Sequence, residues 1–285
     1  MHQEMVEYKA HLNNLERSQR TIDGYLGELL FFQKWVEERM NGPVSIEDIT
    51  GSEINAFLLY LKEERDYKPS SRRRIAATLK GFFKWAYKQG YVATDLAETI
   101  PSIKVPDIER HFLSPEQVRE WINAVDNDLV KISMELMYYA GLRISEATNM
   151  KLKDVNLQED GGWLNIRNAK GGKFRKVPIA PALGNILSVY LEERKFDSDY
   201  LLATEKTGRI RPVTIQAEMR DARRKLGWEE QITPHTLRHS FASQIYKETN
   251  DILVVSRLLG HTNLSTTQIY AHLHDDRMLD AVNVL

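Results

Sequence analysis

The chain has 285 residues, room for one large domain or two ordinary ones, and no cysteine, which excludes a disulfide framework, a thiolate zinc site, an iron–sulfur cluster and a cysteine nucleophile. Its 39 basic and 40 acidic residues give a formal net charge of -1, so a surface for a polyanion has to be local rather than a uniform coat. The start is charged from Glu4 onward and no stretch approaches the ~20 apolar residues that span a bilayer, so a soluble, cytoplasmic protein without membrane association is expected.

The first hundred residues read as helices. Ser18 stands before TIDGYLGELLFFQKWVEER, in which Ile22, Tyr25, Leu26, Leu29, Leu30 and Val36 follow helical spacing. Thr50 is placed to cap a second helix carrying Ile54, Phe57, Leu58 and Leu61. Ser70 opens a third, where Ile75, Leu79, Phe82, Phe83 and Ala86 make one apolar face and Gly90 is the stop. Between Lys68 and Thr94 lie Lys68, Arg72, Arg73, Arg74, Lys80, Lys84 and Lys88 without one Asp or Glu. A charge run of this kind is either an ordinary solvated face or a surface for phosphate, and the absence of acids favours DNA.

Residues 99–112, TIPSIKVPDIERHF, carry Pro101 and Pro106 with little periodicity and read as a linker between a domain at 1–98 and another at 113–285. Ser114-Pro115 then starts a helix in the cap-then-proline pattern, and the remainder is mostly helical. The exception is GGWLNIRNAKGGKFRKVPIA. Trp163, Leu164 and Ile166, a turn at 169–172, then Val177 and Ile179 predict a β-hairpin with basic residues at its tip and on its return strand.

Three clusters in the second half carry chemistry. In TPHTLRHSFASQ, Thr233 caps a helix with Pro234 in its first turn, and His235 and Arg238 share a face. The free N–H groups of a helix start, an imidazole and a guanidinium together suit an anionic oxygen, above all phosphate. The rival reading is metal, because His235 and His239 have the spacing of a zinc helix, but Thr236 stands where such proteases have Glu. In YYAGLRISEATN, Arg143 lies among apolar residues, so Glu146 either pairs with it structurally or steadies it toward an anionic ligand. In LLGHTNLSTTQIY, Gly260 stops a helix, His261 follows and Tyr270 comes nine residues later. Alone, Tyr270 is an ordinary core or surface aromatic. Beside two arginines, two histidines and a lysine, it completes an inventory for phosphoryl transfer without a metal, the cations neutralising charge while a phenol attacks.

The segments AGLRISE, NAKGGKFRKVPI, TPHTLRHSFAS and LLGH followed by TTQIY resemble the boxes of the tyrosine recombinase (phage integrase) family in order and spacing, and the resemblance runs the whole length of the chain. It is nearest to compact Xer-like and transposon-resolvase members. The resemblance implies a mainly α fold with a small β-hairpin or sheet in the C-terminal domain, arranged as a two-domain, C-shaped DNA clamp. It further implies that Arg143 and Arg238 grip the scissile phosphate, His235 assists proton transfer, and His261 adds a phosphate or nucleophile contact. Lys170 would be the general acid, with Lys173, Arg175 and Lys176 as competitors, although Ala169 stands where the family commonly has glycine. Tyr270 would form a 3′-phosphotyrosyl link.

No cofactor is expected. The implied partners are double-stranded DNA bearing a specific recombination site and three further copies of the chain on a Holliday junction, with any accessory protein unidentified. Arg72, Arg73, Arg74, Lys80 and Lys84 are the candidate DNA contacts, and the arginines 209, 211, 220, 223 and 224 form a second candidate interrupted by Glu218 and Asp221. The amphipathic tail 275–285 is expected to dock on a neighbouring protomer, or else on its own domain. The expected activity is site-specific recombination that resolves dimers or cointegrates. A type IB topoisomerase-like enzyme and a catalytically silent DNA-binding regulator are the alternatives; a metal-dependent nuclease lacks the carboxylate cluster it would need.

Overall fold

The structure, a computed structural model, describes residues 1–106, 111–159, 161–169, 173–229 and 231–260. Its contacts divide the chain into two compact units, Met1–Ile108 and Glu109–Leu285.

The described part of the first unit holds helices α1 (His2–Asn14), α2 (Gln19–Met40), α3 (Gly51–Glu63) and α4 (Pro69–Gln89). Ser18 caps α2, its Oγ accepting the Thr21 N–H at 3.2 Å. Thr50 Oγ1 accepts the Ser52 N–H at 3.2 Å while the Glu53 carboxylate takes the Thr50 N–H at 3.1 Å, which closes the start of α3 from both sides. Helix α4 begins differently from the sequence expectation. Lys68, not Ser70, is its cap, and Pro69 occupies the first turn, where a fixed φ and a missing N–H cost nothing. Gly90 ends it in the left-handed region, as expected. Helix α1 went unrecognised in the sequence because only Met5, Tyr8 and Leu12 are buried along it, between charged and polar residues.

The core of this unit is aromatic. Phe32, Phe57, Phe82 and Phe83 are wholly buried, with Phe32 against Phe57 at 5.1 Å and Phe82 against Phe83 at 5.3 Å, edge to face. Tyr8 of α1 meets Phe82 edge-on, which is how that weakly amphipathic helix is held. On α4 the positions that point inward are Ile75, Leu79, Phe82, Phe83 and Ala86. The complementary positions Arg73, Lys80, Lys84 and Lys88 recur at intervals of seven, four and four residues and are exposed, so one helical period buries the apolar set and aligns the basic set along solvent.

In the second unit the described helices are α5 (Pro115–Asn123), α6 (Asp128–Tyr139), α7 (Ile144–Asn149), α8 (Pro181–Glu193), α9 (Pro212–Lys225), α10 (Pro234–Thr249) and α11 (Ile252–Leu259). Ser114 caps α5 as read from the sequence, and the Leu113 N–H donates to Ser240 Oγ at 2.9 Å, tying the entry of the unit to α10. Helix α6 is the central element: Val130, Ile132, Met134, Leu136 and Met137 are buried, and it packs on α5, α7, α8, α9 and α10.

The hairpin is present, with a third strand added. β1 (Val155–Gln158), β2 (Gly161–Ala169) and β3 (Lys173–Pro178) form an antiparallel sheet in that order. At four residues, β1 is too short to show alternation in the sequence. Leu164 pairs with Val177 and Ile166 with Arg175, and all four are buried, while Phe174 and Lys176 between them are exposed. The strand period therefore sends a guanidinium inward and a phenyl ring outward.

Candidate active site

Glu146, on the first turn of α7, is the hub of the second unit's charged residues. Its Oε2 accepts the backbone N–H of Arg143 and its Oε1 accepts Arg143 Nη1, both at 2.8 Å, so the residue that caps α7 is bound at main chain and side chain together. Arg175 reaches the same carboxylate from β3, with Nη1 on Oε1 at 2.9 Å and Nη2 on Oε2 at 2.8 Å. Arg238 Nη1 lies 3.7 Å from Oε2. One carboxylate among three guanidiniums leaves the cluster positive, the condition for holding a phosphate. Of the two alternatives raised for Arg143, the structural pairing with Glu146 is present, and a quarter of the Arg143 side chain stays accessible.

The C-terminus of α11 supplies the second anchor. A helix ends with carbonyls that have no partner inside it and that carry partial negative charge. Here the Leu258 carbonyl accepts Arg175 Nε at 2.9 Å, and the Leu259 carbonyl accepts Arg238 Nη2 at 2.7 Å. Arg238 Nη1 also donates to the Gly141 carbonyl in the turn before Arg143. Two glycines stand at these contacts. Gly260 adopts φ +64, and a Cβ there would stand 2.9 Å from Arg175 Cδ. Gly141, at φ +60, lies against the Phe241 ring, where a Cβ would come within 2.5 Å of Cδ1.

Burial alone would raise the Glu146 pKa, but the hydrogen bonds and charge of Arg175, then the N–H and charge of Arg143, bring it down to about 2. His235, on the first turn of α10, keeps solvent access while protein atoms crowd its ring. That partial loss of water, then the charges of Arg238 and Arg143, lowers its pKa below the ordinary imidazole value, so the ring is neutral near pH 7.

Of the six catalytic candidates, the structure brings Arg143, His235 and Arg238 together. Lys170, His261, Tyr270 and the tail 275–285 lie outside the described residues. Arg175 is not an alternative to Lys170. It is 8% exposed and holds three hydrogen bonds, so it cannot move to a leaving group. Sequence reasoning missed its pairing with Glu146; the signal was its even spacing from Val177 and Ile179 on a strand. Among the described residues, no group of three or more His, Asp or Glu side chains is arranged to hold a metal ion.

On the first unit, Arg73, Arg74, Lys80 and Lys84 are exposed and Arg72 is half-buried, its Nε donating to the Tyr67 carbonyl at 3.2 Å. In the second basic stretch Arg223 is buried with Nη1 on the Ile232 carbonyl at 3.1 Å, Arg224 pairs with Asp221 and Arg209 lies over the Tyr200 ring, while Arg211 and Arg220 are exposed. A cavity of about 670 Å³ between α6 and α8, lined by Leu129, Ile132, Ile186, Val189 and Tyr190, shares no residue with the arginine cluster. No helix among the described residues is long and apolar enough to cross a membrane.

Two family models match the chain: the phage integrase family over residues 111–277, and the phage integrase N-terminal SAM-like domain over residues 5–90. Tyrosine recombinase XerA of Pyrococcus horikoshii is 32% identical over 281 residues, which cover 98% of this chain and 92% of that protein. A crystal structure of XerA recombinase matches at 28% identity and a TM-score of 0.54, covering 99% of this chain and 97% of that one. A lambda integrase tetramer bound to a Holliday junction matches in fold at a TM-score of 0.74 and 24% identity, over 92% of this chain and 77% of that one.

Proposed function

The chain belongs to the phage integrase family and is a site-specific tyrosine recombinase of Xer-like type, and from that premise we propose how its residues divide the reaction. The Tyr270 phenol attacks the scissile phosphorus, the bond to the 5′ oxygen breaks, and the protein is left joined to the 3′ phosphate. Arg143 and Arg238 bind the non-bridging oxygens, whose negative charge grows in the transition state. His235, neutral near pH 7, assists proton transfer, and His261 adds a contact to the phosphate or nucleophile. Lys170 gives its proton to the departing 5′ oxygen. A second 5′ hydroxyl then reverses the attack, so the phosphodiester energy is kept and no ATP is consumed. The observation that carries this reading is the Glu146-centred group of guanidiniums, which fixes Arg143 and leaves it partly accessible beside a neutral imidazole.

The substrate in this reading is duplex DNA with a specific site, met by Arg72, Arg73, Arg74, Lys80 and Lys84 of α4. Four copies act on two duplexes through a Holliday junction, linked by docking of residues 275–285 on a neighbour, in the manner of an assembly that resolves dimers or cointegrates in the cytoplasm. The tetrameric form of lambda integrase supports this assembly by analogy of fold.

The role of Lys170 has its own test. A substrate whose scissile 5′ oxygen is replaced by sulfur leaves as a thiolate, which needs no proton because a thiol pKa is about 8.5. The Lys170→Ala variant is expected to cleave the oxygen substrate about 10²- to 10⁴-fold more slowly and the sulfur substrate at nearly the wild-type rate. Equal impairment on both substrates removes Lys170 from the role, and rescue of Lys173→Ala or Lys176→Ala instead transfers the role to that lysine.

A further inference from the structure

Glu28 of α2 is buried although it carries a charge. Its Oε2 accepts a hydrogen bond from Thr78 Oγ1 at 2.5 Å, and Oε1 is in ion-pair contact with Arg74 Nη1. Oε1 has no hydrogen bond, so Arg74 is the cation that answers its charge among the described residues. Thr78 is buried one turn along α4 from Arg74, whose side chain is 63% exposed. The side chains of Arg73, Lys80 and Lys84, exposed on the same helix, take part in no hydrogen bond or ion pair among the described residues.

This pairing is the wrong device for a side chain that only neutralises phosphate. A carboxylate alongside cancels part of the positive charge and lowers the attraction for a polyanion. What it adds is direction. The ion-pair contact of Nη1 with a buried carboxylate that Thr78 holds tethers one end of the guanidinium and leaves most of the side chain exposed. A planar fork tethered in this way matches guanine, whose O6 and N7 accept two parallel N–H bonds in the major groove. We infer that Arg74 reads a guanine at one position of the recombination site, that Glu28 and Thr78 are the positioning pair for it, and that Arg73, Lys80 and Lys84 supply sequence-independent phosphate contacts. The inference rests on the reading of α4 as the DNA-facing helix.

The test is selection from a pool of randomised duplexes by the full-length protein, followed by binding of the selected site and of single-base variants over a range of salt. Wild type is expected to select one guanine that Arg74→Ala ceases to prefer, with binding of the selected site falling about tenfold to a hundredfold and other positions unchanged. Arg74→Lys keeps the charge and loses the fork, so it loses the same preference while the salt dependence stays as in wild type. Glu28→Gln lowers discrimination at that position yet leaves non-specific affinity equal or higher, because a negative charge is gone; a mere brace between helices would not produce that pair of changes. Circular dichroism checks that Glu28→Gln folds, and if it does not, the exposed Arg74 variants decide the matter alone. Uniform weakening by Arg74→Ala, with the log–log salt slope reduced by about 0.9, makes Arg74 a phosphate contact and overturns the inference. Unchanged selection by both Arg74 variants overturns it as well, leaving the Glu28 pair a structural brace. If Arg73→Ala, Lys80→Ala and Lys84→Ala change neither affinity nor salt slope, the DNA-facing role of α4 itself fails, which is a different result.

Discussion

Arg143→Ala is expected to slow strand cleavage by about 10²- to 10³-fold in single-turnover reactions at saturating DNA, with little change in site affinity. The asymmetry follows from its position. In the proposed reaction Arg143 is one cation among many that would meet the duplex, so its loss removes a small share of binding. Its main chain and its guanidinium are each held by one bond to Glu146, which places the fork while a quarter of the side chain stays accessible for the scissile phosphate. Arg143→Lys restores the charge without the fork and should recover only part of the rate. Arg238→Ala is the instructive contrast, because its Nη groups also hold the Gly141 and Leu259 carbonyls. It should lose both rate and stability. A loss of affinity equal to the loss of rate for Arg143→Ala would assign the residue to general DNA binding instead.

The second large effect is on stability and belongs to Glu146. Removing it by Glu146→Ala leaves the Arg175 charge buried without its carboxylate, a change that costs about 3–5 kcal/mol and is measurable by urea unfolding at pH 7. The same pair predicts a pH dependence whose sign is fixed. The folded pKa, about 2, lies below the ordinary 4.5, so the unfolded chain binds the proton first as pH falls. The Glu146 contribution is therefore complete above pH 4.5 and is lost as pH falls from there toward 2, an amount on the order of 3 kcal/mol. Glu146→Gln should flatten the stability profile within that window and nowhere above it. A variant whose profile keeps the wild-type slope between pH 4.5 and 2 would show that other carboxylates carry the dependence.

Much of this architecture was legible because it is written locally. Ser18, Thr50 and Ser114 stop a helix from fraying by chemistry contained within three residues, and the structure has each of them at its helix start. Arg143 was found because a charged residue between apolar ones needs a reason to be there, and His235 and Arg238 because they share one face at a capped helix start. What escaped was non-local. Lys68 displaced Ser70 as a cap because Pro69 was the stronger signal for a first turn. Helix α1 shows too few apolar residues to declare itself, and its burial depends on Phe82 and Trp85, which lie some seventy residues away. The Arg175 to Glu146 pair joins a strand to a helix across 29 residues. Read along the chain, Arg175 is one more cation in a basic hairpin; only the register of β3 turns it inward.

In the proposed reaction Tyr270 is the nucleophile of a strand transfer that needs neither metal nor ATP. A nicked duplex bearing the recombination site, which traps the cleaved state by releasing a short 5′ fragment, tests it most directly on a denaturing gel. Wild type in the presence of a chelator and without ATP is predicted to yield a covalent complex at the 3′ end, and Tyr270→Phe to bind the same duplex with equal affinity and yield none. A covalent complex of undiminished yield from Tyr270→Phe, or tight binding by wild type with no covalent complex at all, would contradict the account.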